Sequence, residues 1–500
     1  MNILSLEKRD KLRFWCCVLF YILVFIGCVV FFTRINPIVL FDADDWTYSS
    51  YTRMALPLWG DWNPSRIFPE IFMSFCSSIA VYIINPIIND YIDSLSLAYG
   101  LVLSLFILLY VYCMQRYLRN RLRLPIYSTA FLLCLFLLFH FWAMRSSTEN
   151  NHYFFEASDA TCYFYYVIPN LLNASIVLFL AEREKYSFSE YNKRFVGFFI
   201  VGIYFSIFSN LFPASIIVCF SSYLIVFNIF KQIKNRKSSF SEFVKQFNIP
   251  LFTIILWLVS LIFEMSGGRA AWANDEVKMD IMGTAKKFLL YIFYHSNYIF
   301  VFFTGIVLFI GILLIIYKRK SESFITMFGL ICCSIIAAVY NIMLCAKVHS
   351  HYIERTEILY CAFFYLFVLL IYTLSIILKK LKKAYVVFPF LIIVIFSNSF
   401  TGNKTFSESN VLDINSGMCK ELDTYIIEQI KEAEAQNKSE MTLRVPMYST
   451  KENWPQSLYF GDRIGETLYQ HHIINNRITI EIEPDIEINK RFYGGKVLEE

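Results

Sequence analysis

Long apolar stretches separated by short basic segments fill residues 1–400, and beyond residue 401 the chain changes to amphipathic periods with charges throughout. Apolar runs lie near 14–34, 67–87, 94–114, 126–144, 161–181, 195–212, 214–230, 248–264, 298–317, 324–344, 357–378 and 385–399. The first, FWCCVLFYILVFIGCVVFF at 14–32, can cross a hydrocarbon core that needs about 20 apolar residues. No small-residue cleavage site follows it, so it reads as a retained helix. In the tail, MCKELDTYIIEQIKEAEAQ has helical periodicity, whereas MTLRVPM and RITIEIEPDIEI alternate like strands.

The polar breaks set the orientation. KRDKLR at 8–13, RYLRNRLR at 116–123, the basic residues between 183 and 194, KQIKNRK at 231–237, KRK at 318–320 and KKLKK at 379–383 all belong on the cytoplasmic side. Twelve full crossings would scatter them over both sides. The run at 67–87, which opens with IFPE and leads into INPIIND, is therefore read as a re-entrant or interfacial element. The expected fold is an all-α polytopic membrane protein with about eleven transmembrane helices, this one non-crossing element and a small C-terminal α/β domain. The domains are 1–400 and 401–500, with a cytoplasmic N-terminus and a C-terminus outside.

Composition agrees: 57% of residues are hydrophobic and 17% charged, against roughly a quarter charged in soluble proteins. The formal charge of +5 divides unevenly, because residues 401–500 carry 17 acidic against 11 basic residues and leave the first 400 at +11. That excess flanks the spans, so it reports topology and excludes a nucleic-acid partner. Most of the 13 cysteines fall inside apolar runs without CxxC spacing, which makes them packing residues. The nearly charge-free spans disfavour a transporter or flippase, which would place ionisable groups at mid-membrane.

Candidate chemistry concentrates in the outward loops. FDADDWTYSSYTRMALPLWGDWNPSRIFPE, 41–70, sets Asp42, Asp44 and Asp45 just after the first span. Clustered carboxylates raise one another's pKa and suit a general base, a partner that orients a hydroxyl, or ligands for a divalent cation. An Asp ahead of WTYSSYTR also makes a good helix N-cap, and that reading stands beside the chemical one. Arg53, Arg66 and Glu70 continue the loop with groups suited to sugars and phosphates. Trp46, Trp59 and Trp62 serve equally as interfacial anchors.

Further on, MRSSTENNHYFFEASDATCYFYYVIPN offers Arg145, His152, Glu156 and Asp159, with a solvated loop as the alternative. Arg269 follows Gly267 and Gly268 in the manner of an anion receptor. KVHSHYIERTE supplies Lys347, His349, His351 and Arg355; two histidines at i, i+2 without a third ligand argue against zinc and for an anionic partner. Trp454, Tyr459 and Tyr469 in the tail are either stacking surfaces or core.

DADDW directly after the first span, on a polytopic frame with an outward tail, resembles the GT-C fold glycosyltransferases. The length near 500 residues and the Phe- and Tyr-rich composition are similar to bacteriophage-type glucosyltransferases that modify O-antigen and convert serotype. This resemblance implies a bacterial inner-membrane enzyme using a polyprenyl-phosphate-glucose donor and an O-antigen acceptor in the periplasm, with inversion at the anomeric carbon. It implies Asp44 or Asp45 as the base. Arg66, Glu70, Arg145, Glu156, Asp159, Arg269, Lys347, His349, His351 and Arg355 are the expected substrate-binding residues. A donor flippase and a donor synthase join the lipid bilayer as implied partners. The rival reading is an O-antigen polymerase or another outer-leaflet polysaccharide-assembly protein.

Overall fold

The computed structural model describes residues 3–56, 63–144, 150–235, 240–266, 279–318, 321–380, 405–406 and 414–498. The long apolar runs described within the first 380 residues are helical, because a helix satisfies its own backbone hydrogen bonds where water is absent. In order come α1 (Ile3–Val30), extended by a π turn at Phe31–Ile35, short α2 (Ala43–Ser50), α3 (Ile67–Ile88), α4 (Tyr91–Arg121) and α5 (Ile126–Trp142). After β1 (Asn150–Asn151) follow α6 (Ala160–Arg183), α7 (Lys193–Ile207), α8 (Leu211–Asn235), α9 (Phe240–Gln246) and α10 (Asn248–Ser266). The last membrane-region helices are α11 (Ile281–His295), α12 (Tyr298–Lys318), α13 (Ser321–Val348) and α14 (Thr356–Lys380).

Among the described residues, nine helices are long and apolar enough to cross a bilayer: α1, α3, α4, α6, α8, α10, α12, α13 and α14. The chain is a multi-pass helical membrane protein. The run at 385–399 lies outside the described residues.

The two ends of the helical body differ in character. At one end Arg121, Lys379 and Lys380 line one small cavity with Ser323 and Thr326, and Arg116 ion-pairs with Glu182 at 3.2 Å. Helix α4 is antiparallel to α1: Gly100 meets Phe32 and Thr33, where any Cβ would sit 2.6 Å from Thr33 Cγ2, while Gln115 reaches Tyr21 and Cys17. The first residues of α4 therefore belong to the end opposite the basic segments. Helix α3 reaches both α10 and the tail. Arg66, its N-cap, lies 3.4 Å from Glu264 near the end of α10, and Tyr82 donates to the carbonyl of Gln470 in the tail at 2.9 Å.

Helix α11 was not expected from the apolar runs. Its 15 residues, IMGTAKKFLLYIFYH, are too few to span and carry two lysines. Lys287 bonds Ser350 at 2.9 Å, while Met282, Leu289 and Phe293 remain exposed, the division expected of a helix lying in an interface.

The tail combines β2 (Thr405–Phe406), α15 (Ser416–Ala435), β3 (Glu440–Pro446), α16 (Phe460–Gln470), β4 (Thr479–Asp485) and α17 (Ile486–Phe492). Strands β3 and β4 pair in parallel from Glu440 opposite Thr479 to Pro446 opposite Asp485, with α16 in the crossover between them. A parallel pair needs such a crossover. Gly461 and Gly465 let α16 approach β4, where a Cβ on Gly461 would lie 2.3 Å from the Ile480 carbonyl oxygen. Strand β1 pairs in parallel with β2.

This α/β unit is seated on α2 and the start of α4. Thr467 donates to the Trp46 carbonyl at 2.6 Å and lies 2.8 Å from the Ser50 hydroxyl. Gln456 Nε2 donates to the Phe41 carbonyl at 2.8 Å, and Lys420 holds Asp93 at 2.7 Å and Asp90 at 3.2 Å.

Candidate functional site

Two helix starts face one another where α2 and α6 begin. Asp42 caps α2, its Oδ1 accepting from the Asp45 N–H at 2.9 Å. Asp159 caps α6, its Oδ1 accepting from the Cys162 N–H. Both caps follow local rules, since an Asp side chain satisfies an N–H that the helix cannot. Folding then does what neither segment announces: it brings Asp42, Asp45 and Asp159 together, with one oxygen from each lying within 4.8 Å of the others.

Asp45 is the fixed member. Its Oδ1 accepts from the Thr161 N–H at 2.6 Å and the Thr161 hydroxyl at 2.7 Å, and its Oδ2 accepts from the Phe41 N–H at 3.0 Å. Asp45 is 0% exposed, Asp42 3% and Asp159 9%. Burial, then the nearby Asp159, pushes the Asp45 carboxyl up to about 8 against the hydrogen bonds from Thr161 and Phe41. Burial and the charges of Asp45, Asp159 and Asp44 hold Asp42 well above the usual carboxylate range. The cluster thus calls for a proton or a cation at neutral pH.

Asp44 differs: on the first turn of α2 it is only half-buried, and its charge is felt at Tyr459 of the tail. Of the expected base candidates, Asp44 retains a solvent-facing surface and Asp45 does not.

Glu156 and Arg355 adjoin this cluster. Glu156 accepts from the Thr356 hydroxyl at 2.8 Å and the Tyr153 N–H at 3.0 Å, with His152 Nδ1 3.1 Å away. Arg355 lies 3.8 Å from Glu357 and donates at 3.8 Å to the sulfur of Cys162, the residue whose N–H makes the α6 cap contact. Its guanidinium also feels the Asp159 charge.

Arg66 and Glu70 form a second group. Glu70 ion-pairs with Arg53 and accepts from the Tyr165 hydroxyl at 2.8 Å. Arg66 adopts φ 57°, a left-handed conformation uncommon for a side-chain-bearing residue, with its guanidinium 6.0 Å from the Tyr165 ring centroid.

Lys347, His349 and His351 belong to a third, surface group. Lys287 Nζ donates to His351 Nε2 at 2.8 Å, so the opposite nitrogen donates to Glu354 at 2.9 Å. The His349 ring lies 5.5 Å from that of His351. Lys347 sits half-buried in the last turn of α13. Arg145 and Arg269, like Trp59 and Trp62, fall outside the described residues.

Sequence reasoning did not single out Thr161, which ties α6 to α2, or Asp423. Asp423 is fully buried, and neither carboxyl oxygen has a hydrogen-bond partner among the described residues. Burial raises its pKa well above the usual value, with Asp45 adding to the effect. Only its position inside the apolar stripe of α15 could have marked it. Nearby His471, 2.7 Å from the Tyr91 hydroxyl, is held neutral by burial, its pKa pushed down to about 4.

Among the described residues, the three aspartates are the one His, Cys, Asp or Glu group with metal-like geometry. All its donors are oxygens, and Asp42 and Asp159 each bond the backbone through a single oxygen. That set fits a hard divalent cation of the Mg²⁺ type and not zinc. Comparison of the chain with protein-family models, curated proteins and solved structures finds no match.

Proposed function

We propose that the chain is a glycosyltransferase of the bacterial inner membrane that moves glucose from polyprenyl-phosphate-glucose to a hydroxyl of an O-antigen repeat unit on the periplasmic face. The observation that carries this reading is the half-buried Asp44 beside a locked carboxylate cluster, at the end of the body opposite its basic segments. The positive-inside rule makes that end periplasmic.

In the proposed reaction Asp44 takes the proton of the acceptor hydroxyl, whose oxygen bonds to the anomeric carbon as the bond from that carbon to the phosphate oxygen breaks. Polyprenyl phosphate leaves with the bonding electron pair, and the single displacement inverts the anomeric centre. Asp45 positions α2 through Thr161 and Phe41, and Arg355 offers positive charge to the departing phosphate. A divalent cation bound by Asp42, Asp45 and Asp159 would add charge neutralisation at the same place.

The test is transfer of radiolabelled glucose from polyprenyl-phosphate-glucose to lipopolysaccharide in membranes containing the chain. Asp44→Asn should lower the rate by roughly 10²–10⁴-fold; an unchanged rate in this variant would remove the assignment. An O-antigen polymerase would instead lengthen the polysaccharide without adding hexose to its repeat. The surface group of Lys287, His349 and His351 is the feature that suits such an enzyme.

A further inference from the structure

Residues 454–459 cross the start of α2. The Ala43 N–H donates to the Pro455 carbonyl at 3.3 Å, and Gln456 Nε2 donates to the Phe41 carbonyl at 2.8 Å. The crossing segment is held from behind as well. Asn453 Nδ2 donates to the carbonyls of Pro446 and Gln456, both at 3.0 Å, while its Oδ1 accepts from the Tyr448 N–H at 2.8 Å. Such a loop arrives rigid, with little ordering left for a ligand to impose.

What it presents is aromatic. Trp454 is half-buried, Tyr459 is 38% exposed and Leu458 61% exposed. The Trp454 and Tyr459 rings lie with centroids 6.4 Å apart at 45°, forming an open corner. Tyr469, by contrast, is covered by the Arg477 guanidinium, 4.8 Å from its ring centroid. The loop that carries Tyr459 is bonded to α2 through Pro455 and Ala43, the residue before Asp44, and burial, then the charges of Asp44 and Asp42, raise the Tyr459 hydroxyl pKa. An apolar ring face beside hydrogen-bond acceptors matches a pyranose, whose C–H face is apolar and whose rim donates hydroxyl protons.

We infer that Trp454 and Tyr459 of the tail, with Asp44 of α2, form a subsite for one sugar ring of the acceptor saccharide, so that the C-terminal unit completes the site. This inference rests on the glycosyltransferase reading for the identity of the saccharide. Neither aromatic residue donates or accepts the transferred group. Their role is to hold the acceptor ring so that its hydroxyl meets Asp44.

The test uses the full chain in detergent micelles, with O-antigen repeat oligosaccharides released by mild acid as the probe and saturation-transfer NMR as the readout. Wild type should bind. Tyr459→Ala should bind about tenfold more weakly, and Tyr459→Phe, which keeps the ring, should stay within about threefold of wild type. Tyr459 is exposed, so both variants should keep the wild-type melting temperature. Equal binding by Tyr459→Ala and wild type, or no binding by wild type, would overturn the subsite. Binding that depends on Tyr459 without any glucosyl transfer would leave the subsite standing and remove the glycosyltransferase reading.

Discussion

Asp45 accepts three hydrogen bonds inside the body, whereas Asp44, one residue earlier on the same turn, keeps part of its surface in solvent. Their asparagine variants should therefore fail differently. Asp44→Asn should lose transfer while melting like wild type. Asp45→Asn should lose stability, because its amide places N–H groups against existing donors; about 1–3 kcal/mol is expected for each buried group left unpaired, read as a lower thermal midpoint. The pH dependence has a definite sign. Asp42, Asp45 and Asp423 all have folded-state pKa values raised above the unfolded value. The folded chain then holds protons that the unfolded chain releases, so this stability is complete below the unfolded pKa of about 4. It is lost as pH rises through the folded values, which for Asp45 is about 8. Thermal melts between these limits should show falling stability with pH. Asp423→Asn should flatten part of that slope; an unaltered slope would mean that Asp423 is not protonated in the fold.

At the scale of elements, the seam between the tail and the helical body rests on unequal contacts. The Lys420 pair with Asp90 and Asp93 is about one-third exposed, and exposed ion pairs contribute roughly 0–1 kcal/mol. The Thr467 hydroxyl is buried and donates to the Trp46 carbonyl. Thr467→Val should thus make the tail more susceptible to limited proteolysis than Lys420→Ala does, and the reverse order would contradict this division. Elements with a strong local period were legible in the sequence: the tail helix reads from MCKELDTYIIEQIKEAEAQ, and β3 and β4 from their alternation. Helices α16 and α11 were not. The residues around Gly461 and Gly465 carry little helix propensity and depend on β4 for support, and α11 is too short and too charged to resemble a span.

For the whole molecule, basic segments are readable because charge is a property of single positions, and two of them, at 116–123 and 379–383, meet in the fold. Arg121, Lys379 and Lys380 do gather around one cavity at one end. The cluster itself was only half readable. DADDW shows Asp42 and Asp45, but Asp159 joins them through a contact between Thr161 and Asp45 across 116 positions, which no local pattern encodes. Reporter fusions after residues 93, 124 and 400 should read outside, inside and outside; a cytoplasmic signal after 400 would contradict the proposed sidedness. The most direct test of the central claim is the structure of the polysaccharide itself. Expression of the chain in a host with a defined O-antigen and a supply of polyprenyl-phosphate-glucose should add one hexose to the repeat unit, and Asp44→Asn should abolish that addition. Unaltered repeats, with the wild-type chain present in the membrane, would contradict the account.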